Sequence, residues 1–477
     1  MFGNELCYFD AVQLRDLIRT KKVSAQEVLN AFLDQIDRFN PQVNAICTLV
    51  VDMAVEQARA ADDKISTGEP LGLLHGLPTA IKDLNDTKGI RTTHGSLLYE
   101  NNVPKSDALL VSRIKEAGGV VIGKTNVPEF GAGSHTFNEI FGVTRNPHDL
   151  TKSAGGSSGG AAAALAARML PIADGSDMGG SLRNPGAFCG VVGFRPSPGR
   201  VPTHPKNTPW ETLGVMGPMG RTVQDVALLL AAISGPSPYD PVSLDTPGDH
   251  FLDPLDFDCK DIRIAWTPDL GRLQMDEDIV HVCEQAVNTL ETMGCKIEHA
   301  APDLTDAEEI FLTVRSALTA ARMPEDLDAM QGKIKDTVIW NAKLAYEHRG
   351  VDVGRALVKW GHYYRRILSF MENYDFLVLP TTQVPPFSVE EPWVKEINGV
   401  EMPNYISWME SCWAITLTNL PAISVPCGFT PAGLPVGLQI VGGFRKDFDV
   451  LRLAHAFEDV TRYVDMLPSL LSEAAPS

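Results

Sequence analysis

Apolar residues in the first forty positions recur at helical spacing. Leu14, Leu17 and Ile18 share one face of a helix that Asp10 begins, with Gln13 three residues on. Val28, Phe32 and Ile36 share a face of a second helix begun by Ser24, where Glu27 completes a capping box. From Leu71 the texture changes, and short apolar runs alternate with glycine-rich turns and helical patterns. The runs 120–122, 262–266, 376–379 and 436–441 read as buried strands. Strands interleaved with helices predict an α/β fold with helices on both faces of the sheet. Residues 303–371 carry few strand signals and read as a helical insertion over the site. The Pro- and Asp-rich stretch 241–254 reads as a surface connection. Strand signals resume on both sides of it, so one domain is expected over 1–477.

Composition narrows the class of protein. The chain carries 41 basic and 60 acidic residues, a formal net charge of -19, which disfavours nucleic acid as a partner. The longest apolar stretches, 161–167 and 226–233, are too short to span a bilayer, so no membrane association is expected. No basic segment followed by an apolar core opens the chain, so no signal peptide is evident. Eight cysteines lie at wide spacings without a C-x-x-C pair, which fits buried thiols in a reducing, cytoplasmic compartment rather than zinc or disulfides.

Three segments carry candidate chemistry. The first is 75–83 (HGLPTAIKD), where Lys82 ends an apolar run. Such a lysine ordinarily lies in water. A buried one has a lowered pKa and serves as a base. The second is 155–160 (GGSSGG), running directly into an alanine-rich helix from Ala161. A linker would not enter a strong helix former in this way, and a phosphate loop would need a Lys-Ser/Thr pair that is missing. The third is 174–185 (DGSDMGGSLRNP). Gly179 and Gly180 leave main-chain N–H groups before Ser181 unobstructed, as an oxyanion hole requires. The plainer reading of 174–185 is a turn with a solvent-exposed serine, and Asp177 and Arg183 read as an ion pair holding that turn.

Together these segments resemble the amidase signature family. The likeness extends through 123–129 (GKTNVPE), 141–147 (FGVTRNP), 190–196 (GVVGFRP), 419–426 (NLPAISVP) and 433–439 (GLPVGLQ), with its densest part at about 71–202. The resemblance implies an α/β/α sandwich with a large mixed central sheet. It also implies a triad of Lys82, Ser157 in a cis peptide, and Ser181 as nucleophile. It places an oxyanion hole at the N–H groups of Met178, Gly179, Gly180 and Ser181. It implies neither metal nor organic cofactor. The expected reaction is hydrolysis of a carboxamide C–N bond through an acyl-Ser181 intermediate, with aryl esters and carbamates as chemically related substrates.

Two other readings compete. Gly155-x-Ser157-x-Gly159 fits the nucleophile elbow of an α/β-hydrolase, with His362 or His455 as a later partner. Residues 151–154 make a poor strand for that motif. The family also contains the glutaminase component of a tRNA-dependent amidotransferase, which works with partners. A stand-alone enzyme, monomer or homodimer, acting on a small-molecule amide is the preferred expectation. Five of seven tryptophans lie between Trp340 and Trp413, which suggests core packing or an apolar substrate pocket. Gly131 stands where the family's acyl pocket begins, and its missing side chain suggests a roomy site. No cationic clamp for a carboxylate is evident.

Overall fold

The computed structural model describes residues 3–472. Its central sheet has eight strands. In spatial order they are Lys296–His299, Arg263–Trp266, Phe376–Pro380, Pro435–Gly442, Ala422–Phe429, Val192–Arg195, Val215–Gly220 and Ile172–Asp177. The first two pairings are parallel and the remaining five antiparallel, so the sheet is mixed.

Side chains alternate across this sheet as a two-residue period requires. Phe376 and Val378 enter one apolar cluster, and Leu377 and Leu379 enter another. Helices Val223–Ile233, Glu277–Thr292 and Asp447–Thr461 supply the first cluster. Helices Ala307–Ala320, Gly350–Met371 and Glu410–Leu417 supply the second. Burying each large aliphatic side chain here contributes about 1.5–3 kcal/mol. The result is the three-layer α/β/α arrangement that the resemblance implied.

Both early helices form where their caps stand, Ala11–Arg19 behind Asp10 and Ala25–Val43 behind Ser24, each with a complete capping box. Every regular element from Ala307 to Met371 is helical. Among the described residues, no helix is long and apolar enough to cross a membrane.

A smaller sheet of Ile46–Leu49, Val120–Thr125 and Pro78–Lys82 adjoins the large one. Hydrogen bonds join their strands, two of them beside the main chain. Lys82 N–H donates to Asp174 Oδ1 at 2.9 Å, and Thr79 Oγ1 donates to the Ile172 carbonyl at 3.2 Å. Asp174 and Asp177 lie in a strand paired with Val215–Gly220, and the expected turn begins only after Asp177. Asp149–Ser153 is also a strand, paired with Arg145–Asn146, where a poor strand was expected.

Candidate active site

Lys82 is the last residue of a strand whose five side chains are all buried, and its own exposure is 0%. Burial pushes its ammonium down to about 7, although the charges of Asp174 and Asp177 oppose the shift. The Nζ atom lies 2.9 Å from Ser157 Oγ, 2.7 Å from Ser158 Oγ and 3.0 Å from Ser176 Oγ. An ammonium has three protons for three acceptors. A neutral amine offers two protons and one lone pair, and a hydroxyl can turn to donate to that lone pair. The pocket thus satisfies both protonation states, as a group that gains and loses a proton needs.

The main chain of Lys82 is held as firmly as its tip. Asp174 receives the Lys82 N–H on one oxygen and Asn85 Nδ2 on the other, at 2.9 and 2.7 Å. The Asn85 carbonyl in turn accepts from a second buried lysine, Lys124, at 2.5 Å. Lys124 also reaches Thr87 Oγ1 at 2.8 Å and Thr92 Oγ1 at 3.1 Å, which braces the loop beyond Lys82.

Ser157 follows a cis peptide bond from Gly156, as the resemblance implied. The loop before it is clamped by side chains. Thr136 Oγ1 donates to the Gly155 carbonyl and Ser134 Oγ to the Gly156 carbonyl, both at 2.8 Å. Asn184 Nδ2 supports Ser134 Oγ at 3.1 Å. The helix Gly159–Ala166 then departs with all eight residues buried, which its small side chains permit.

Ser181 enters from the end of the strand Ile172–Asp177. Its carbonyl accepts from the Ser158 N–H at 3.2 Å, which brings the second and third segments together. The turn before it is organised by Asp177. Burial would raise that carboxyl, but Arg183 beside it, helped by Arg195, holds it below the usual carboxylate range. The expected Asp177–Arg183 pair is thus present, at 2.9 Å and fully buried. Arg183 also bonds Gln439 Oε1, the Cys412 carbonyl and Thr416 Oγ1.

Asp177 has one consequence that the sequence did not suggest. The Gly180 N–H donates to Asp177 Oδ1 at 3.0 Å, so it is not a free donor as expected. The N–H groups of Met178, Gly179 and Ser181 have no hydrogen-bond partner among the described residues. Gly180 instead supplies backbone shape, with φ at +109°.

Gly131 stands beside the site. A Cβ there would lie 3.3 Å from Ser157 Oγ and 2.8 Å from Leu84 Cδ1, so a side chain would crowd the serine. Beyond Gly179, Phe311 and Trp413 stack at 4.9 Å between ring centroids, giving an apolar wall. No histidine bonds Ser157 among the described residues. His455 bonds Gln224 and faces Glu458 and Asp459, and His362 is exposed on the helix Gly350–Met371, so neither is the histidine base that the elbow reading requires. Among the described residues, no cluster of three His, Cys, Asp or Glu side chains is placed to hold a metal ion.

Ser158, Ser176, Asp174, Asn85 and Lys124 were not singled out as site residues from sequence. Ser158 and Ser176 carried a signal, because each sits within a glycine-rich segment already marked. Lys124 lies in the segment 123–129, but nothing there shows that its side chain is buried.

Comparison with known proteins identifies the family. Residues 27–451 match the family model described as Amidase. An acylamidase of Rhodococcus erythropolis is 35% identical over 98% of this chain and 99% of its own length. A component of the glutamyl-tRNA(Gln) amidotransferase of Carboxydothermus hydrogenoformans is also 35% identical, over 98% of this chain and 100% of its own length. Among solved structures, a bacterial aryl acylamidase of the amidase signature family superposes with a TM-score of 0.89 at 27% identity, covering 96% of this chain and 98% of that one. The 6-aminohexanoate cyclic dimer hydrolase gives 0.88 at 26%, covering 98% and 99%. The chain belongs to the amidase signature family of amide C–N hydrolases.

Proposed function

We propose that this chain, acting alone, hydrolyses small-molecule amides bearing an aryl or other apolar group, through an acyl-Ser181 intermediate. The observation that carries the chemistry is Lys82, wholly buried, lowered to about 7 and 2.9 Å from Ser157 Oγ. Neutral Lys82 takes a proton from Ser157 as Ser157 takes one from Ser181. Ser181 Oγ attacks the carbonyl carbon, and the N–H groups of Met178, Gly179 and Ser181 hold the oxyanion. The relay returns the proton to the leaving nitrogen, and the C–N bond breaks. Water then attacks the acyl-enzyme by the same route and frees the acid. Aryl esters and carbamates offer the same carbonyl to the same attack.

The Phe311–Trp413 wall beside Gly179 supports an apolar substituent. The test is hydrolysis by the isolated chain. Release of aniline from acyl anilides, well above any release of ammonia from glutamine, is expected. Glutamine hydrolysis without anilide hydrolysis points instead to a component of an amidotransferase.

Gly180→Ala probes the turn. Its Cβ would sit 2.5 Å from Cys412 Cβ and 2.7 Å from Asn184 Nδ2, at a φ that disfavours a side chain. A loss of about 1–3 kcal/mol in stability is expected from the overpacking. Displacing the neighbouring donors is expected to lower kcat by roughly 100-fold. Denaturant titration and steady-state kinetics measure the two effects.

A further inference from the structure

The segment after Gly131 leads from the serines to two cations that no carboxylate pairs among the described residues. A Cβ on Gly133 would meet Tyr405 Cδ2 at 3.8 Å and Lys335 Nζ at 4.0 Å, both in ordinary contact range. The Gly133 backbone is fixed, because Ser134 next to it grips the Gly156 carbonyl before Ser157. Lys335 stands at the start of the helix Asp336–Leu344. Its main-chain N–H donates to Glu129 Oε2 at 2.6 Å, which docks this helix onto the segment that carries Gly131.

The Lys335 ammonium itself has no such anchor. Among the described residues it donates no hydrogen bond, and no carboxylate oxygen lies within 4.0 Å of it. It rests 3.8 Å from the centroid of the Phe137 ring. Burial lowers it to about 8 against the opposing charge of Glu129, so it is still mainly cationic at neutral pH. Arg315 also meets Tyr405, with its guanidinium carbon 5.4 Å from the ring centroid. It bonds Tyr405 Oη and Asn341 Oδ1, each at 2.6 Å, and among the described residues it too lacks a carboxylate partner.

A partly buried ammonium without an acceptor is costly unless something anionic completes it. The carboxylate whose charge acts on Lys335, Glu129, bonds its main-chain N–H and not its ammonium. Chain geometry holds Lys335 Nζ within roughly 18 Å of Ser157 Oγ, the reach of an extended small-molecule substrate.

We propose that one arm of the substrate runs past Gly131 and Gly133, and that Lys335, beside Tyr405 and near Arg315, receives a carboxylate at its far end. This deepens the amide-hydrolase reading and rests on it. The substrate is then an amphiphilic amide, with an apolar group near Phe311 and Trp413 and an acid at its tip. It also departs from the expectation that no cationic clamp exists.

The test is a graded series of ω-carboxyacyl 4-nitroanilides, each paired with a neutral methyl-ketone twin of equal length. Nitroaniline release gives kcat/KM for both members on one enzyme preparation, so partial misfolding cancels in their ratio. The wild type is expected to favour the acid by about tenfold or more at one or two lengths, less so in added salt. Lys335→Met is expected to bring that ratio to about one through KM, and Lys335→Arg to retain it. A wild type that favours the neutral twin at every length overturns the proposal. So does a ratio that Lys335→Met leaves unaltered. If wild type cleaves the neutral anilides without favouring the acids, only this proposal falls. If it cleaves neither, the amide-hydrolase reading falls and takes the proposal with it.

Discussion

Lys82→Met is expected to lower kcat/KM for an anilide by about 10²–10⁴-fold, the range for loss of a positioned general base. The effect has a pH signature. Lys82 works only when uncharged, and its pKa lies at about 7 rather than 10.5. Wild-type activity is therefore expected to rise with pH through about 7 and then level off. Below that pH the ammonium is protonated and cannot accept the Ser157 proton. The residual activity of Lys82→Met should lose this limb. Rate profiles of both proteins from about pH 5 to 9 make the comparison. A wild-type profile flat across that range contradicts the role given to Lys82.

Ser181→Ala is expected to cost still more, at least about 10⁴-fold in kcat, because no acyl-enzyme can form. The fold should survive. Ser181 meets Ser158 through its main-chain carbonyl, which alanine retains. Thermal unfolding should thus be nearly unchanged while labelling by a fluorophosphonate disappears. Ser157→Ala is a poorer probe, since Ser157 Oγ is a direct partner of the buried lysine.

Much of this site was legible because its chemistry is written in short, glycine-marked segments. Lys82, Ser157 and Ser181 each sit in one, and the structure brings the three segments together through Nζ–Oγ and main-chain bonds. Strands with simple apolar patterns were also legible. Phe376–Pro380 and Pro435–Gly442 extend the expected runs by one or two residues.

Other elements were hidden because their partners are distant in sequence. The strand Ile172–Asp177 contains two aspartates and reads as a turn. Its charges become tolerable inside a sheet only because Asn85 and the Lys82 N–H meet Asp174, and Arg183 and Arg195 meet Asp177. The Gly180 N–H looked free for the same reason, since nothing local shows Asp177 turning back to accept it. Lys335 lies some two hundred residues from Gly133 in an ordinary polar stretch, and only the folded chain sets them side by side. Asp149–Ser153 has weak strand character of its own and forms against Arg145–Asn146.

The identity of the nucleophile decides most directly whether this chemistry is right. Turnover of a slow anilide or activated ester can be quenched in acid, digested and read by mass spectrometry. The expected result is the acyl mass on the peptide bearing Ser181, and its absence from Ser181→Ala. An acyl mass on the peptide bearing Ser157, or steady turnover with no acylated serine at all, contradicts it.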